Sequence, residues 1–160
     1  GAAMTYIGID PGKSGAIAAI YRGTLIAVED MPIRDGEIDI SALARMRAVD
    51  DEFRVWIEDV HSMPGQGVRS TFSFGRSKGI VEGVFSTEDD RPTLVSPQTW
   101  KRHFGLLKRD KAASRKLAME LFPEDAGRFK RSKDDGRAEA ALIALYGLQI
   151  SGGGGKCRSI

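Results

Sequence analysis

Four carboxylates stand where a metal-dependent reaction would need them. Asp10 ends the apolar run Tyr6-Ile7-Gly8-Ile9 and is followed at once by Pro11-Gly12. Such a run suits a buried strand, and Pro-Gly stops it. Glu58 repeats the design at the end of Val55-Trp56-Ile57. A carboxylate at the end of a core strand is held rigidly, and its burial is costly unless a partner compensates it. A cation is the obvious partner. Asp135 and Glu139 lie four residues apart ahead of an apolar stretch. A helix there puts both on one face, where they repel unless a cation sits between them.

Each acid also has a plainer reading. A strand-end acid can cap a helix or fix a turn. Asp135 can cap the last helix, with Glu139 favourable in its first turn. It is the conjunction of Asp10, Glu58, Asp135 and Glu139 that points to metal. Two His and the single Cys157 make no visible zinc cluster. Carboxylate ligands favour Mg²⁺, or Mn²⁺ in its place. Two such ions per site are the usual device for in-line attack of water on a phosphodiester. Asp10, the most rigidly placed acid, is expected to be shared between them.

The elements that must position these acids can be read from the apolar patterning. Strands are expected at Thr5 to Ile9, Ala16 to Tyr21 and Thr24 to Asp30, with Arg22-Gly23 as a tight hairpin turn. Ile38, Ile40, Leu43 and Met46 have helical spacing, with Asp39 or Ser41 available near the start. A fourth strand covers Arg54 to Glu58, and a loop from His61 to Gly67 leads into a helix from Ser70 to Phe85. Gly75, Gly79 and Gly83 recur there as a small-residue ridge, able to pack inside the domain or against a second subunit. Thr93 to Val95 is a fifth strand. Helices follow from Pro97 toward Phe104, from Asp110 to Phe122 and from about Gly136 to Ile150. The result is an α/β fold: a mixed five-stranded sheet, three antiparallel strands then two parallel, flanked by helices. Strands one and four are expected to be neighbours, with the last helix across their ends.

At 160 residues the chain suits one domain with a real core. Residues 1–3 precede Met4 and resemble a cloning scar, the domain is expected over 4–151, and the glycine-rich 152–160 reads as a flexible tail. No signal peptide and no membrane-spanning run is visible. The net charge of +2 hides an asymmetry: Lys101 to Arg137 holds twelve Lys/Arg against six Asp/Glu. Such a segment suits a phosphate-binding face or a solvated helix surface.

At this point the chain resembles the RuvC-like Holliday-junction resolvases of the RNase H-like nucleases. The resemblance rests on Gly8-Ile9-Asp10-Pro11-Gly12 with Gly15-Ala16-Ile17-Ala18, on Ile57-Glu58, on Gln98-Thr99-Trp100-Lys101 with Phe104-Gly105, and on Asp135-Gly136-Arg137-Ala138-Glu139-Ala140. It implies an RNase H-like domain and a homodimer that nicks opposing strands of a four-way DNA junction with Mg²⁺ or Mn²⁺. It implies catalytic, metal-binding roles for Asp10 and Glu58. The better-known bacterial pattern ends in two Asp residues three apart. This chain fits the subgroup with His or Asp followed by Gly-Arg-Ala-Glu, which leaves Asp134 as an alternative to Asp135. The expected location is the cytoplasm or nucleoid, bacterial or phage-encoded, with an organelle also open.

The remaining polar residues can be read against a DNA substrate. The loop after Glu58 would border the scissile strand, with Met63, Gly65 and Gly67 close to backbone or bases. Met63 or Phe72 could wedge between unpaired bases, although an aromatic on a helix more often joins the core. Lys101, Arg102, Lys108, Arg109, Lys111, Lys130, Arg131 and Lys133 would contact phosphates, joined by Lys13 and Arg76 near the cleft. Lys108, Arg109 and Lys111 sit near a helix start, which adds backbone N–H groups. His61 and His103 suit polar contacts or proton transfer.

Two other classes compete. Asp10 to Gly15 also resembles the first phosphate turn of actin-like ATPases and sugar kinases, but no repeat of that motif supplies a second lobe. A non-catalytic junction-binding protein could keep the same fold, but loss of a core acid would be its mark, and all four are present.

Overall fold

The computed structural model describes residues 3–47, 52–61 and 64–152. Three antiparallel strands open the chain: β1 (Thr5–Asp10), β2 (Ala16–Tyr21) and β3 (Thr24–Asp30). Arg22 and Gly23 both adopt positive φ, the turn a two-residue hairpin requires. A second small hairpin follows, β4 (Ile33–Arg34) and β5 (Glu37–Ile38), turned by Asp35-Gly36 with the same backbone signature. Ile38 therefore belongs to β5 rather than to the helix expected from its spacing. Asp39 then accepts the Ala42 N–H at 3.0 Å and caps α1 (Ile40–Arg47).

The chain returns through β6 (Phe53–Glu58), which pairs parallel with β1, Ile9 opposite Ile57. Helix α2 (Val68–Phe85) crosses to β7 (Thr93–Val95), which pairs parallel with β6. The sheet order is β3-β2-β1-β6-β7, so strands one and four of the sequence reading are indeed neighbours. Ser96 caps α3 (Pro97–His103), and Asp110 caps α4 (Lys111–Leu121). Short 3-10 turns at Pro123–Phe129 and Ser132–Asp134 lead into α5 (Asp135–Ile150). No described helix is long and apolar enough to cross a membrane.

Helix α5 is buried almost all round and lies on one face of the sheet, as its nearly continuous apolar sequence requires. Alanines and glycines let it approach closely. A Cβ on Gly8 would overlap the Ala140 carbonyl oxygen and the Ala144 amide, and one on Gly147 would enter the Trp56 ring. The opposite face packs against α1 and α2 through Ile9, Ile57, Leu43, Val81 and Phe85. The α2 ridge does not serve that interior packing, because a Cβ on Gly75, Gly79 or Gly83 would meet open space among the described residues. Phe72 also departs from the core reading, at 75 % exposed.

The two kinds of glycine respond oppositely to alanine. Gly8→Ala must push α5 off β1 and is expected to cost about 3 kcal/mol or more. Gly79→Ala gains helix propensity at an open position and is expected to stabilise by about 0.5–1 kcal/mol. Urea unfolding of both variants checks the pair, and equal effects would contradict this packing.

Candidate metal centre

The parallel pairing of β1 with β6 brings Asp10 and Glu58 to the same end of neighbouring strands. The close approach of α5 to Gly8 brings Glu139 to them. One carboxylate oxygen from each of Asp10, Glu58 and Glu139 lies within 4.8 Å of the others. Glu58 and Glu139 are buried and Asp10 is partly so. The grouping thus follows from two structural facts, strand adjacency and a helix thin enough to reach the sheet.

The electrostatic cost is visible in each acid. Burial, then the nearby Asp10 charge, pushes Glu58 up to about 7. Burial, then the Glu58 and Asp10 charges, pushes Glu139 up to about 8. Burial also raises Asp10, partly offset by its hydrogen bond with Glu139 and by the Gly12 N–H, which it meets at 3.5 Å. A carboxyl can donate such a bond to its neighbour only while protonated, and a cation between the two would take that proton's place. Three converging oxygen ligands of this kind fit a hard divalent cation, with other positions left for water or phosphate. Lys101 and Lys111 lower all three acids from a distance.

The sequence reading assigns Trp100 no role, yet it touches the centre directly. Its indole is fully buried and donates to Glu58 Oε2 at 2.8 Å. This fixes the Glu58 carboxylate through one oxygen. The signal was a tryptophan beside lysine in a short helix after the last strand, with nothing in the spacing to say which way it pointed. Lys101, the next residue, lies 5.5 Å from the Trp100 ring centre.

Asp135 is not part of the three-acid group. It stands one turn earlier on α5, pairs with Arg115 at 3.2 Å and lines the adjoining cleft with Asp10. Asp134 is not an available alternative. It is 1 % exposed, accepts the Arg131 N–H at 2.8 Å and is bound by the Arg131 guanidinium. Arg137 lies 3.7 Å from it. Arg131 holds its carboxyl below the usual carboxylate range, a structural role at the start of α5.

The expected DNA contacts divide. Lys13, Lys111 and Lys133 line a cleft of about 370 Å³ that includes Asp10, Gly12, Phe74 and Asp135. Lys101 acts on the three acids from a distance. Lys13 also pairs with Glu37 at 3.4 Å, and Arg76 bonds Glu37 at 3.0 Å. Arg131 is exposed but engaged by Asp134, while Arg102, Lys108, Arg109 and Lys130 are exposed. Gly65 and Gly67 are exposed in the loop before α2, Gly65 at φ +83°, and Met63 lies outside the described residues. His61 reaches Asp59 at 3.6 Å, and Lys78 also pairs with Asp59. His103 bonds Gln149 at 2.6 Å and packs edge-on to Tyr146. No family model matches the chain, and no curated protein does.

The raised acids set a pH dependence. Because Glu58 and Glu139 bind protons in the fold up to about 7 and about 8, against an ordinary 4.5, the native state holds more protons than the unfolded chain across that window. Stability without metal therefore falls as pH rises from about 4.5 through 8. Added Mg²⁺ should restore most of the loss above pH 7, because it binds the folded, ionised site. Thermal melts from pH 5.5 to 8.5 with chelator or Mg²⁺ check this, and melts indifferent to both would contradict it. Trp100→Phe should raise the Mg²⁺ needed for half-maximal stabilisation by about 10-fold, the usual cost of losing a partner behind a ligand.

Proposed function

We propose that this chain is a metal-dependent endonuclease that resolves four-way DNA junctions. The observation that carries the reading is the convergence of Asp10, Glu58 and Glu139 on the ends of adjacent parallel strands, beside a lysine-lined cleft. The sheet order, with three antiparallel strands followed by two parallel ones and α5 against the central strands, supports an RNase H-like domain. The open glycine ridge of α2 is compatible with a second copy packing there, as paired nicking of opposing strands requires.

Asp10, Glu58 and Glu139 would hold the first Mg²⁺ or Mn²⁺. Asp135 is the remaining carboxylate on the cleft, and a second ion would recruit it from Arg115. When bound, the two ions supply activation of a water nucleophile and charge stabilisation of the leaving 3′ oxygen. The protein's own part is positional. Trp100 holds Glu58 in one orientation, and the Gly12 N–H steadies Asp10. Lys13, Lys111 and Lys133 meet the strand's phosphates, and Lys101 adds positive charge at a distance from the acids. Exposed Arg102, Lys108, Arg109 and Lys130 extend the basic face to the junction arms. A DNA substrate would put the enzyme in a DNA-containing compartment: the cytoplasm or nucleoid, or an organelle.

Incubation with a mobile four-way junction, a matched linear duplex and Mg²⁺ tests the proposal. Paired symmetric nicks in the junction alone are expected. Equal cutting of duplex would make the protein a general nuclease, and tight junction binding without cutting would make it a scaffold. Asp10→Asn should abolish cutting while keeping junction binding, because it weakens metal capture and leaves the basic surface intact. Normal cutting by that variant would overturn the site assignment.

A further inference from the structure

Glu37 is an acid that its own hairpin does not use. It opens β5 opposite Arg34 of β4, and its neighbour Ile38 is buried in the cluster against α1 and α2. Its backbone is therefore fixed, by the Asp35-Gly36 turn on one side and a core residue on the other. A cross-strand ion pair with Arg34 would be the ordinary use of such a residue. Instead the carboxylate joins two other elements. One oxygen lies 3.4 Å from the ammonium of Lys13, in the turn between β1 and β2, and the other accepts from the Arg76 guanidinium on α2 at 3.0 Å. Lys13 also lines the cleft that contains Asp10. These three side chains are 34–53 % exposed, so a ligand from solution reaches all of them.

Two oxygens of one anion, each met by a cation from a different element, is the arrangement a backbone phosphate would take in the same place. Exposed ion pairs contribute little to a fold and exchange readily. A strand phosphate can therefore replace the carboxylate, and the Glu37 side chain can turn to water. We infer that Glu37 is a built-in competitor for DNA, holding the phosphate position between Lys13 and Arg76 until a substrate displaces it. This rests on the nuclease reading and adds an autoinhibitory contact to it. Free of Glu37, the two cations would hold any passing duplex by its backbone, because phosphate contacts are blind to sequence. With Glu37 in place, a DNA strand must first expel the carboxylate. A strand that also engages the rest of the cleft can meet that cost, and one that touches only these two cations gains little.

Binding of a four-way junction and of a linear duplex, measured in chelator so that nothing is cut, tests the competitor. Glu37→Gln keeps the size of the side chain and removes its charge. It should tighten both complexes about 5-fold, the combined strength of two exposed ion pairs. In a Lys13→Gln/Arg76→Gln background the same substitution should change binding by less than about 2-fold, because the carboxylate has nothing left to hold. Asp35→Asn, which removes an equal charge from the exposed hairpin turn two residues away, should have an equally small effect in the wild-type background. Unchanged binding in Glu37→Gln would overturn the competitor. So would a tightening that persists without Lys13 and Arg76, or one that Asp35→Asn matches, since either marks a general surface field. A wild-type protein that binds neither DNA overturns the nuclease reading and the competitor with it. Any of the other contrary results, in a protein that does bind junctions, overturns the competitor alone.

Discussion

Mutual repulsion among Asp10, Glu58 and Glu139 is the constraint around which the rest of this molecule is arranged. Three carboxylates with oxygens inside 4.8 Å, two of them buried, cannot all ionise without a counter-charge. The fold nevertheless forces them together. Parallel pairing of β1 and β6 sets two of them side by side, and the glycine contacts at Gly8 and Gly147 bring α5 down until Glu139 joins them. A Cβ on Gly136 would come 2.7 Å from the Ser14 carbonyl oxygen, so the start of α5 is equally tight against the β1–β2 turn. The helix that carries the third acid is therefore also the helix the core depends on most, and site and stability share one interface.

The surroundings soften the repulsion without removing it. Lys101 and Lys111 act at a distance, and Trp100 donates one hydrogen bond to Glu58, but burial dominates for all three acids. No arginine pairs with any of the three among the described residues. Arginines instead serve the periphery: Arg115 holds Asp135, Arg131 holds Asp134, and Arg137 binds Asp30 through two bonds of 2.8 and 2.9 Å, pinning α5 to the end of β3. A site kept free of strong permanent cations, inside a frame of charge-assisted contacts, is suited to an exchangeable divalent ion.

Much of this was legible in the residues. The strand-end positions of Asp10 and Glu58, the Arg22-Gly23 hairpin and the places of the five sheet strands along the chain follow from apolar runs and turn chemistry alone. Glu139 was legible through its spacing on a helix, but that spacing does not reveal that Asp135 stands outside the three-acid group, on the adjoining cleft. Four residues on a helix put two side chains on one face, yet they stand about 6 Å apart along the axis. That is enough for Arg115 to claim one while Glu58 meets the other. Ile38 misled for a related reason: its helical spacing to Ile40 and Leu43 hid the Asp35-Gly36 turn that places it in a hairpin. Phe72 and Phe74 were beyond reach, because one turn of amphipathic helix looks alike whether its aromatic ring enters a core, a cleft or water. Trp100 was equally hidden, since no local pattern links it to Glu58, 42 positions away.

The central claim is that these three carboxylates form a divalent-cation centre. Crystals soaked in Mn²⁺ and measured for anomalous scattering test it most directly. The account predicts a peak bounded by Asp10, Glu58 and Glu139, lost in crystals of Asp10→Asn. A well-occupied soak with no peak there, or with the Mn²⁺ bound elsewhere and the three acids unchanged, would contradict it.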